Sequence, residues 1–257
     1  MILPAIIVAA YGWPGQSIVV IMMIMTNDGF HPGRVLTRRE ILALVGFSGA
    51  ALLTGRAAAQ SAVPACVVRP AQTEGPFFVD EHLQRSDIRP DPATGELSPG
   101  TVLALAFNVS RLRAGACAPL AGATVDVWHC DAFGAYSDAR NPGADTVGRK
   151  FLRGYQATDA AGTARFTTIY PGWYQGRAVH IHFKIRTAQG REFTSQIYFD
   201  DALTDRVHAQ PPYAPRGLRR LRNEADGLYR HGGRQLTVTP TPSGPGYATA
   251  FDLALSL

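Results

Sequence analysis

Beyond Gln60 the chain consists of short alternating segments separated by Gly, Pro and Asp, and this pattern constrains the fold most. Alternation with a period of two places successive side chains on opposite faces of a β-strand. Turn sequences at residues 159–162 and 243–246 suit hairpin connections between such strands. The predicted strands cover residues 101–109, 123–128, 164–169, 179–185, 192–199, 235–238 and 247–253. We therefore predict an all-β fold, an antiparallel β-sandwich with long loops and at most one short helix, placed at residues 216–228.

The first 59 residues differ in composition from the rest of the chain. Arg38 and Arg39 precede an apolar run over residues 43–53 and the small residues 57–59. This order predicts a signal peptide of the twin-arginine type, and the apolar run is too short for a transmembrane anchor. We predict a leader over residues 1–59 and one domain over residues 60–257. We also predict export of the protein to the periplasm or the cell exterior.

Residues 1–24 carry an apolar stretch that Gly12 and Pro14 interrupt, and all four methionines lie at or before Met25. A start codon assigned too early, with Met25 as the true first residue, is the simpler interpretation. We therefore leave residues 1–24 out of the fold prediction.

The formal net charge is +5 over 257 residues, and the basic residues form no cluster. Such a mild surplus gives no reason to expect a nucleic-acid partner. The three cysteines, Cys66, Cys117 and Cys130, lack the spacing of a Cys-based metal site. An exported protein with three cysteines is expected to form one disulfide and keep one thiol, and the pairing stays open.

His180 and His182 lie two residues apart in the predicted strand 179–185. Residues i and i+2 of a strand face the same side, about 7 Å apart, so both imidazoles can reach one metal ion. Zinc, copper and iron sites all use a His-x-His pair, and the motif alone leaves the metal open. Alternation places His129 opposite Trp128, so we expect it to point outward. Surface or core positions are expected for all the other histidines, His31, His82, His129, His208 and His231.

Tyr174 lies in a Pro-Gly turn just before the same strand, where its phenol can fold over the imidazoles. A free phenol has a pKa of about 10 and binds divalent metals poorly at neutral pH, whereas a trivalent cation stabilises the phenolate. Tyr174 therefore favours Fe(III). In the alternative interpretation, Trp173 and Tyr174 only cap the end of the sandwich, which leaves the neighbouring Arg177 unexplained. Tyr136 follows the strand 123–128 in an irregular loop, where side chains tend to point into a site.

Several motifs occur in one order along the chain. They are Trp128, Gly134-x-Tyr136, Thr158-Asp-x-x-Gly162 and Tyr174-x-x-Arg177-x-x-His180-x-His182, with residues 73–78 before them and 196–199 after them. Together they resemble the intradiol ring-cleavage dioxygenases, non-haem Fe(III) enzymes typified by protocatechuate 3,4-dioxygenase and catechol 1,2-dioxygenase. The chain is more similar to the protocatechuate type, and the similarity covers most of residues 66–226.

The resemblance implies four ligands for a non-haem Fe(III) ion: Tyr136, Tyr174, His180 and His182. It also implies that a substrate displaces Tyr174, that Arg177 stabilises negative charge on the substrate ring, and that Gln196 lies beside the site. The implied partners are a catechol-type small molecule and O2. The implied product is a muconate-type diacid, formed by cleavage between the two hydroxyl-bearing carbons. No stable membrane span is expected in the mature form, and a homo-oligomer is compatible with the family.

Two other functions fit parts of the sequence. His180 and His182 also suit a zinc or copper enzyme that performs hydrolysis or superoxide chemistry. Residues 119–125 and 158–162 also occur in prealbumin-like binding modules, in which the aromatic residues would form a surface for carbohydrate or protein. A tyrosinate–Fe(III) protein is coloured and a zinc protein is colourless, whereas a binding module contains no stoichiometric iron. A visible spectrum and a metal analysis therefore discriminate the three.

Overall fold

The computed structural model describes residues 66–141 and 144–257, together with three short strands nearer the N-terminus. The chain divides into two compact units, Met1–Ala59 and Gln60–Leu257. In the first unit, β1 (Ile6–Tyr11), β2 (Val19–Thr26) and β3 (Gly29–His31) form an antiparallel sheet. The predicted twin-arginine signal lies outside the described residues. Among those that are described, no helix has the length and the apolar character needed to cross a membrane.

The second unit consists of two five-stranded sheets, a two-stranded ribbon and short helical segments. Its strands are β4 (Val102–Arg113), β5 (Ala116–Pro119), β6 (Thr124–Trp128), β7 (Arg140–Asn141), β8 (Ala144–Asp145), β9 (Arg153–Ala157), β10 (Thr163–Ile169), β11 (His180–Arg186), β12 (Glu192–Phe199), β13 (Thr237–Val238), β14 (Thr241–Ser243) and β15 (Gly246–Ser256). The helices are α1 (Asp201–His208) and α2 (Gly227–Arg230). One sheet has the order β10-β4-β15-β14 with β5 also paired to β4, the other has the order β13-β12-β11-β6-β9, and β7 pairs with β8.

The two five-stranded sheets pack face to face through apolar side chains. Phe107 of β4 and Phe183 of β11 meet across the core, with ring centroids 5.1 Å apart. Burying one large apolar side chain of this kind stabilises the fold by about 1.5–3 kcal/mol. β11 lies between β12 and β6, and its residues from His180 to Ile185 are buried on both faces. Because side chains alternate along a strand, Phe183 faces the core while His180 and His182 face the covering loops.

The all-β sandwich is confirmed, and every predicted strand segment contains an observed strand. Two strand pairs are parallel rather than antiparallel, β4 with β15 and β12 with β13, so both sheets are mixed. The helix predicted at residues 216–228 is wrong, since this segment holds a 3₁₀ turn at Asn223–Ala225 and only the start of α2. Gly217 adopts a φ of 72°, and the buried Arg219 forms ion pairs with Asp201 and Asp205 of α1. These contacts hold the segment against α1 in an irregular conformation.

Cys66 and Cys117 form a disulfide with a sequence separation of 51, and Cys130 is free and buried. This pairing joins the beginning of the domain to β5. Closing a loop of this size removes conformational entropy from the unfolded chain, worth about 4 kcal/mol in a chain-entropy treatment. We expect the Cys66→Ser/Cys117→Ser double variant to lose roughly 2–4 kcal/mol of unfolding free energy, measured in urea. Reduced wild-type protein is the control and should match the variant. Equal stability of the variant and the oxidised wild type would contradict this contribution.

Candidate metal centre

The centre is built on β11, which presents two imidazoles on the face away from the core. His180 and His182 are 2% and 1% exposed, and their Nε2 atoms lie 3.0 Å apart. The two rings are nearly perpendicular, with an angle of 80° between their planes. The two-residue period of the strand thus brings both nitrogens to one point.

Two phenols approach the same point from separate loops. Tyr136 lies in the loop after β6, and its hydroxyl oxygen is 3.3 Å from His180 Nε2. Tyr174 lies before β11, and its hydroxyl oxygen is 3.2 Å from the same nitrogen. Tyr136 is fully buried, and its backbone N–H donates to Asn141 Oδ1 at 2.9 Å. The structure therefore brings together all four side chains that the resemblance implies as ligands.

The hydrogen bonding of His180 leaves its Nε2 lone pair directed into the centre, and both imidazoles are uncharged. His180 Nδ1 lies 2.6 Å from the carbonyl oxygen of Ala178, and because a carbonyl only accepts, Nδ1 carries the hydrogen and Nε2 is free to bind. Burial, with the nearby Arg177, lowers the pKa of His180 to about 3. Burial is also the main reason that the pKa of His182 lies well below its usual value, and the neighbouring His180 lowers this pKa further. Both rings are therefore neutral at physiological pH.

The donor set fits a cation of high charge. Burial raises the pKa of Tyr174 to about 12 and raises the pKa of Tyr136 well above its usual value, so neither phenol ionises unaided at neutral pH. A cation among the four donors would stabilise both phenolates and could bind the Nε2 atoms of both imidazoles. His182 Nδ1 has no hydrogen-bond partner in the part of the chain that the structure describes. Two nitrogens and two phenolate oxygens form a mixed, rather hard set that suits iron in its trivalent state.

Arg177 borders the four donors without being one of them. Its Nη1 lies 3.4 Å from His180 Nε2, and its Nη2 donates to Gln196 Oε1 at 2.6 Å. Gln196 is fully buried on β12, opposite His182, and its Nε2 donates to the carbonyl of Thr73 at 2.9 Å. Both residues singled out in the sequence for roles beside the metal therefore lie at the centre and contact each other.

Asp226 anchors this arginine and was missed in the sequence. Its Oδ2 accepts from Arg177 Nε at 2.9 Å and from the backbone N–H of Ala178 at 2.8 Å. Its other oxygen accepts from the N–H of Leu228 at 2.7 Å and caps α2. An Asp followed by a short helix is a recognisable N-cap, but that signal does not reveal the ion pair.

Two aromatic rings fix the orientation of the donors. Trp128 stacks on His182, with ring centroids 5.0 Å apart and planes 8° apart. Phe77 stacks on Tyr136 at 4.3 Å and 14°, and meets the ring of Tyr174 edge-on at 6.4 Å. Trp128 and Phe77 both lie in the motifs that carry the family resemblance, Phe77 within residues 73–78, but the sequence did not indicate which rings they stack on.

Gly75 lies so close to the centre that a side chain there would reach a donor. A Cβ at this position would lie 3.3 Å from His182 Cε1, and the backbone φ of 74° is left-handed. We expect Gly75→Ala to weaken metal binding about tenfold, measured by competition with a chelator, because His182 must shift. Gly95→Ala is the matched control, since Gly95 has a φ of 73° and open space around it. Both variants should lose about 1–2 kcal/mol of stability, and equal metal affinity in the two would contradict the steric argument.

Two cavities open beside the phenols. One has a volume of about 710 Å³, and its lining includes the rings of Phe77, Tyr136 and Tyr174 and the charged side chains of Asp131, Arg149 and Arg216. The other has a volume of about 600 Å³, with a lining that includes Trp173, Tyr174, Arg177, Arg219, Arg220 and Leu221. Tyr174 borders both, so movement of its ring would change the access to the centre.

The outward orientation predicted for His129 is wrong. His129 is 1% exposed, and its Nε2 lies 2.6 Å from Thr168 Oγ1 of β10. Its Nδ1 lies 2.8 Å from the carbonyl oxygen of Cys130. Alternation does place His129 on the face opposite Trp128, but Trp128 pairs with His182 and shares the face of the imidazoles, so the opposite face is the core side, where β10 of the other sheet lies. His129 is therefore a hydrogen-bonded core residue outside the group of four donors.

A family model described as "Dioxygenase" matches residues 73–211, more than half of the chain. The structure of an intradiol ring-cleavage dioxygenase from Tetranychus urticae is similar to this chain, with 31% sequence identity and a TM-score of 0.65 over 74% of this chain and 95% of that one. The dioxygenase domain of a dioxygenase carbohydrate-binding protein fusion from Streptomyces sp. SirexAA-E shows 29% identity and a TM-score of 0.55, covering 74% of this chain and 99% of that one.

Curated relatives match over shorter stretches. Chlorocatechol 1,2-dioxygenase of Pseudomonas putida is 32% identical in an alignment of length 99, with a coverage of 32% for this chain and 36% for the relative. Catechol 1,2-dioxygenase 1 of Acinetobacter lwoffii is 28% identical in an alignment of length 175, with a coverage of 56% for this chain and 52% for the relative. The chain thus spans between about a third and a half of the length of these relatives. With the family model, the similar structures and the four converging donors all in agreement, the chain belongs to the intradiol ring-cleavage dioxygenase family.

Proposed function

We propose that this protein is a non-haem Fe(III) dioxygenase that cleaves a catechol-type ring between its two hydroxyl-bearing carbons. The reaction consumes one O2, places both oxygen atoms in the product and yields a muconate-type diacid. The observation that carries this proposal is the convergence of two phenol oxygens and one imidazole nitrogen within 3.3 Å of His180 Nε2. Relatives that are named catechol and chlorocatechol dioxygenases support the same substrate class.

The side chains of Tyr136, Tyr174, His180 and His182 would hold the iron. Bound Fe(III) would supply a Lewis acid that activates a catecholate toward O2. Two phenolates offset much of the charge of a trivalent ion, which favours the oxidised state in a buried site.

Tyr174 is the phenol that we expect to move. It is only partly buried and borders both cavities, whereas Tyr136 is 1% exposed beneath the ring of Phe77. Tyr174, which would be a phenolate when iron is bound, can therefore leave its place when a catechol enters and take up a proton from a catechol hydroxyl. Tyr136 is expected to stay in place throughout.

Arg177 is the group that we assign to charge stabilisation. Asp226 and Gln196 hold its guanidinium at 2.9 Å and 2.6 Å, so its orientation is fixed before a substrate binds. A preorganised cation beside the ring stabilises negative charge that develops on carbon, at no cost of reorganisation.

A visible spectrum and a metal analysis of the protein, purified without added metal, test the proposal. We expect about one iron per chain, a tyrosinate charge-transfer band, a change of that band on anaerobic addition of catechol, and O2 uptake when air is admitted. A colourless protein containing zinc would overturn the proposal in favour of a hydrolytic metal enzyme. A protein without any stoichiometric metal would favour a binding module.

We further propose that residues 1–59 direct export by the twin-arginine route. Arg38 and Arg39 support this proposal, and the disulfide between Cys66 and Cys117 suits an oxidising compartment. An Arg38→Lys/Arg39→Lys variant should accumulate inside the cell in a fractionation experiment. Unchanged export of that variant would exclude the route.

A further inference from the structure

A buried guanidinium without an ion pair lies beside the candidate metal centre. Arg153 begins β9, opposite Trp128 of β6, and is 3% exposed. In the described part of the chain, no Asp or Glu oxygen lies within 4.0 Å of its nitrogens. Burying a charge costs several kcal/mol, and the carboxylates that act on this one, Glu81 and Asp138, do so from beyond that distance, so its N–H groups must find other partners.

Those partners belong to two segments that are distant in sequence. Arg153 Nε donates to Ser137 Oγ at 2.7 Å, and Nη2 donates to the carbonyl of Ser137. Nη1 and Nη2 also donate to the carbonyl of Phe77 at 3.3 Å and 3.4 Å, and Nη1 reaches the carbonyl of Val79 at 3.5 Å. One planar group therefore joins the loop after β6 to the segment that carries Phe77.

These two segments control Tyr136 from different sides. Ser137 is the next residue along the chain, so its position sets the backbone of Tyr136. Phe77 covers the ring of Tyr136, with centroids 4.3 Å apart and planes 14° apart. The hydroxyl of the same ring lies 3.3 Å from His180 Nε2. Arg153 thus fixes both the backbone and the covering ring of a candidate ligand that it does not itself contact through a hydrogen bond.

We propose that Arg153 is the positioning residue for the phenol of Tyr136. This inference rests on the proposed function in one respect, that Tyr136 is a metal ligand. A guanidinium presents its donors in a rigid plane, whereas the single ammonium of lysine cannot serve acceptors on two segments with the same geometry. Groups that orient a ligand in this way typically change metal affinity or activity by about 10–100-fold when they are removed.

Arg153→Lys tests the proposal, with Arg85→Lys as the matched control. Arg85 is also largely buried and donates to the backbone carbonyls of Pro90, Lys150 and Arg153, but it has no hydrogen bond to Ser137 or Phe77. We expect Arg153→Lys to weaken metal binding about tenfold and to shift the visible band. We also expect kcat to fall about tenfold and KM to stay within about twofold. Arg85→Lys should lower the thermal midpoint and leave the band, the affinity and kcat at wild-type values.

An unchanged band and affinity in Arg153→Lys, or equal changes in both variants, would overturn the positioning role. Should Arg153→Lys fail to fold, Ser137→Ala removes one of the acceptors and should shift the band in the same direction by less; no shift would overturn the role. Zinc in place of iron in the wild type would refute the proposed function, yet the zinc affinities of the two lysine variants would still decide the role of Arg153. A wild type without any bound metal would refute both proposals.

Discussion

The His180→Gln variant is expected to lose stoichiometric iron and the visible band, with turnover reduced more than about a thousandfold. His180 Nε2 lies close to each of the other three donor atoms, 3.0 Å from His182 Nε2 and 3.2–3.3 Å from the two phenol oxygens. Without it, three donors remain around the ion. Burial holds the pKa of both phenols above the usual value, so they stay protonated when no cation stabilises the phenolate. Metal analysis and a visible spectrum of the purified variant check the result.

His208→Gln is the control for this substitution, because it makes the same chemical change at another buried imidazole. His208 Nε2 lies 2.9 Å from the carbonyl oxygen of Pro171, and the ring stacks on Tyr213 at 4.9 Å and 15°. This variant should keep its iron and lose only thermal stability. Full iron occupancy in His180→Gln, or an equal loss in both variants, would contradict the ligand assignment.

The face of the strand that carries the two imidazoles could be predicted because it depends on a local period. Alternation over residues 179–185 requires that His180 and His182 share a face, and the structure has both there. The position of Tyr174 followed from the short turn before the strand. For Tyr136, 44 residues before His180, the strand pattern was too weak, and only the family motif connected it to the others.

The remaining features depend on pairings between distant segments, about which local periodicity carries no information. The parallel pairing of β4 with β15 is set by the order of strands in the sheet, which alternation does not reveal. The ion pair between Arg177 and Asp226 joins residues 49 positions apart. The stacking of Phe77 on Tyr136 depends on where the segment before β4 crosses the site. For the same reason, the sequence alone could not show which two of the three cysteines form the disulfide.

Arg177→Ala is expected to keep its iron and lose most of its turnover, with kcat lower by about 10²–10³-fold. Arg177 Nη1 lies 3.4 Å from His180 Nε2, close enough to stabilise negative charge on a substrate ring bound at the centre. The residue is not one of the four donors, so the iron content and the visible band should stay near wild-type values. Steady-state O2 uptake with catechol gives kcat, and the same preparation gives the iron content.

The catalytic effect of this substitution must be separated from its effect on stability, because Asp226 loses its partner. Asp226 is 2% exposed, and its Oδ2 accepts from Arg177 Nε at 2.9 Å. Removing one member of a buried ion pair costs about 3–5 kcal/mol. The Arg177→Ala/Asp226→Asn double variant removes the unpaired charge, so it should regain stability without regaining turnover. Recovery of kcat together with stability would mean that Arg177 acts only through folding, and an unchanged kcat in Arg177→Ala would mean that it has no part in the reaction.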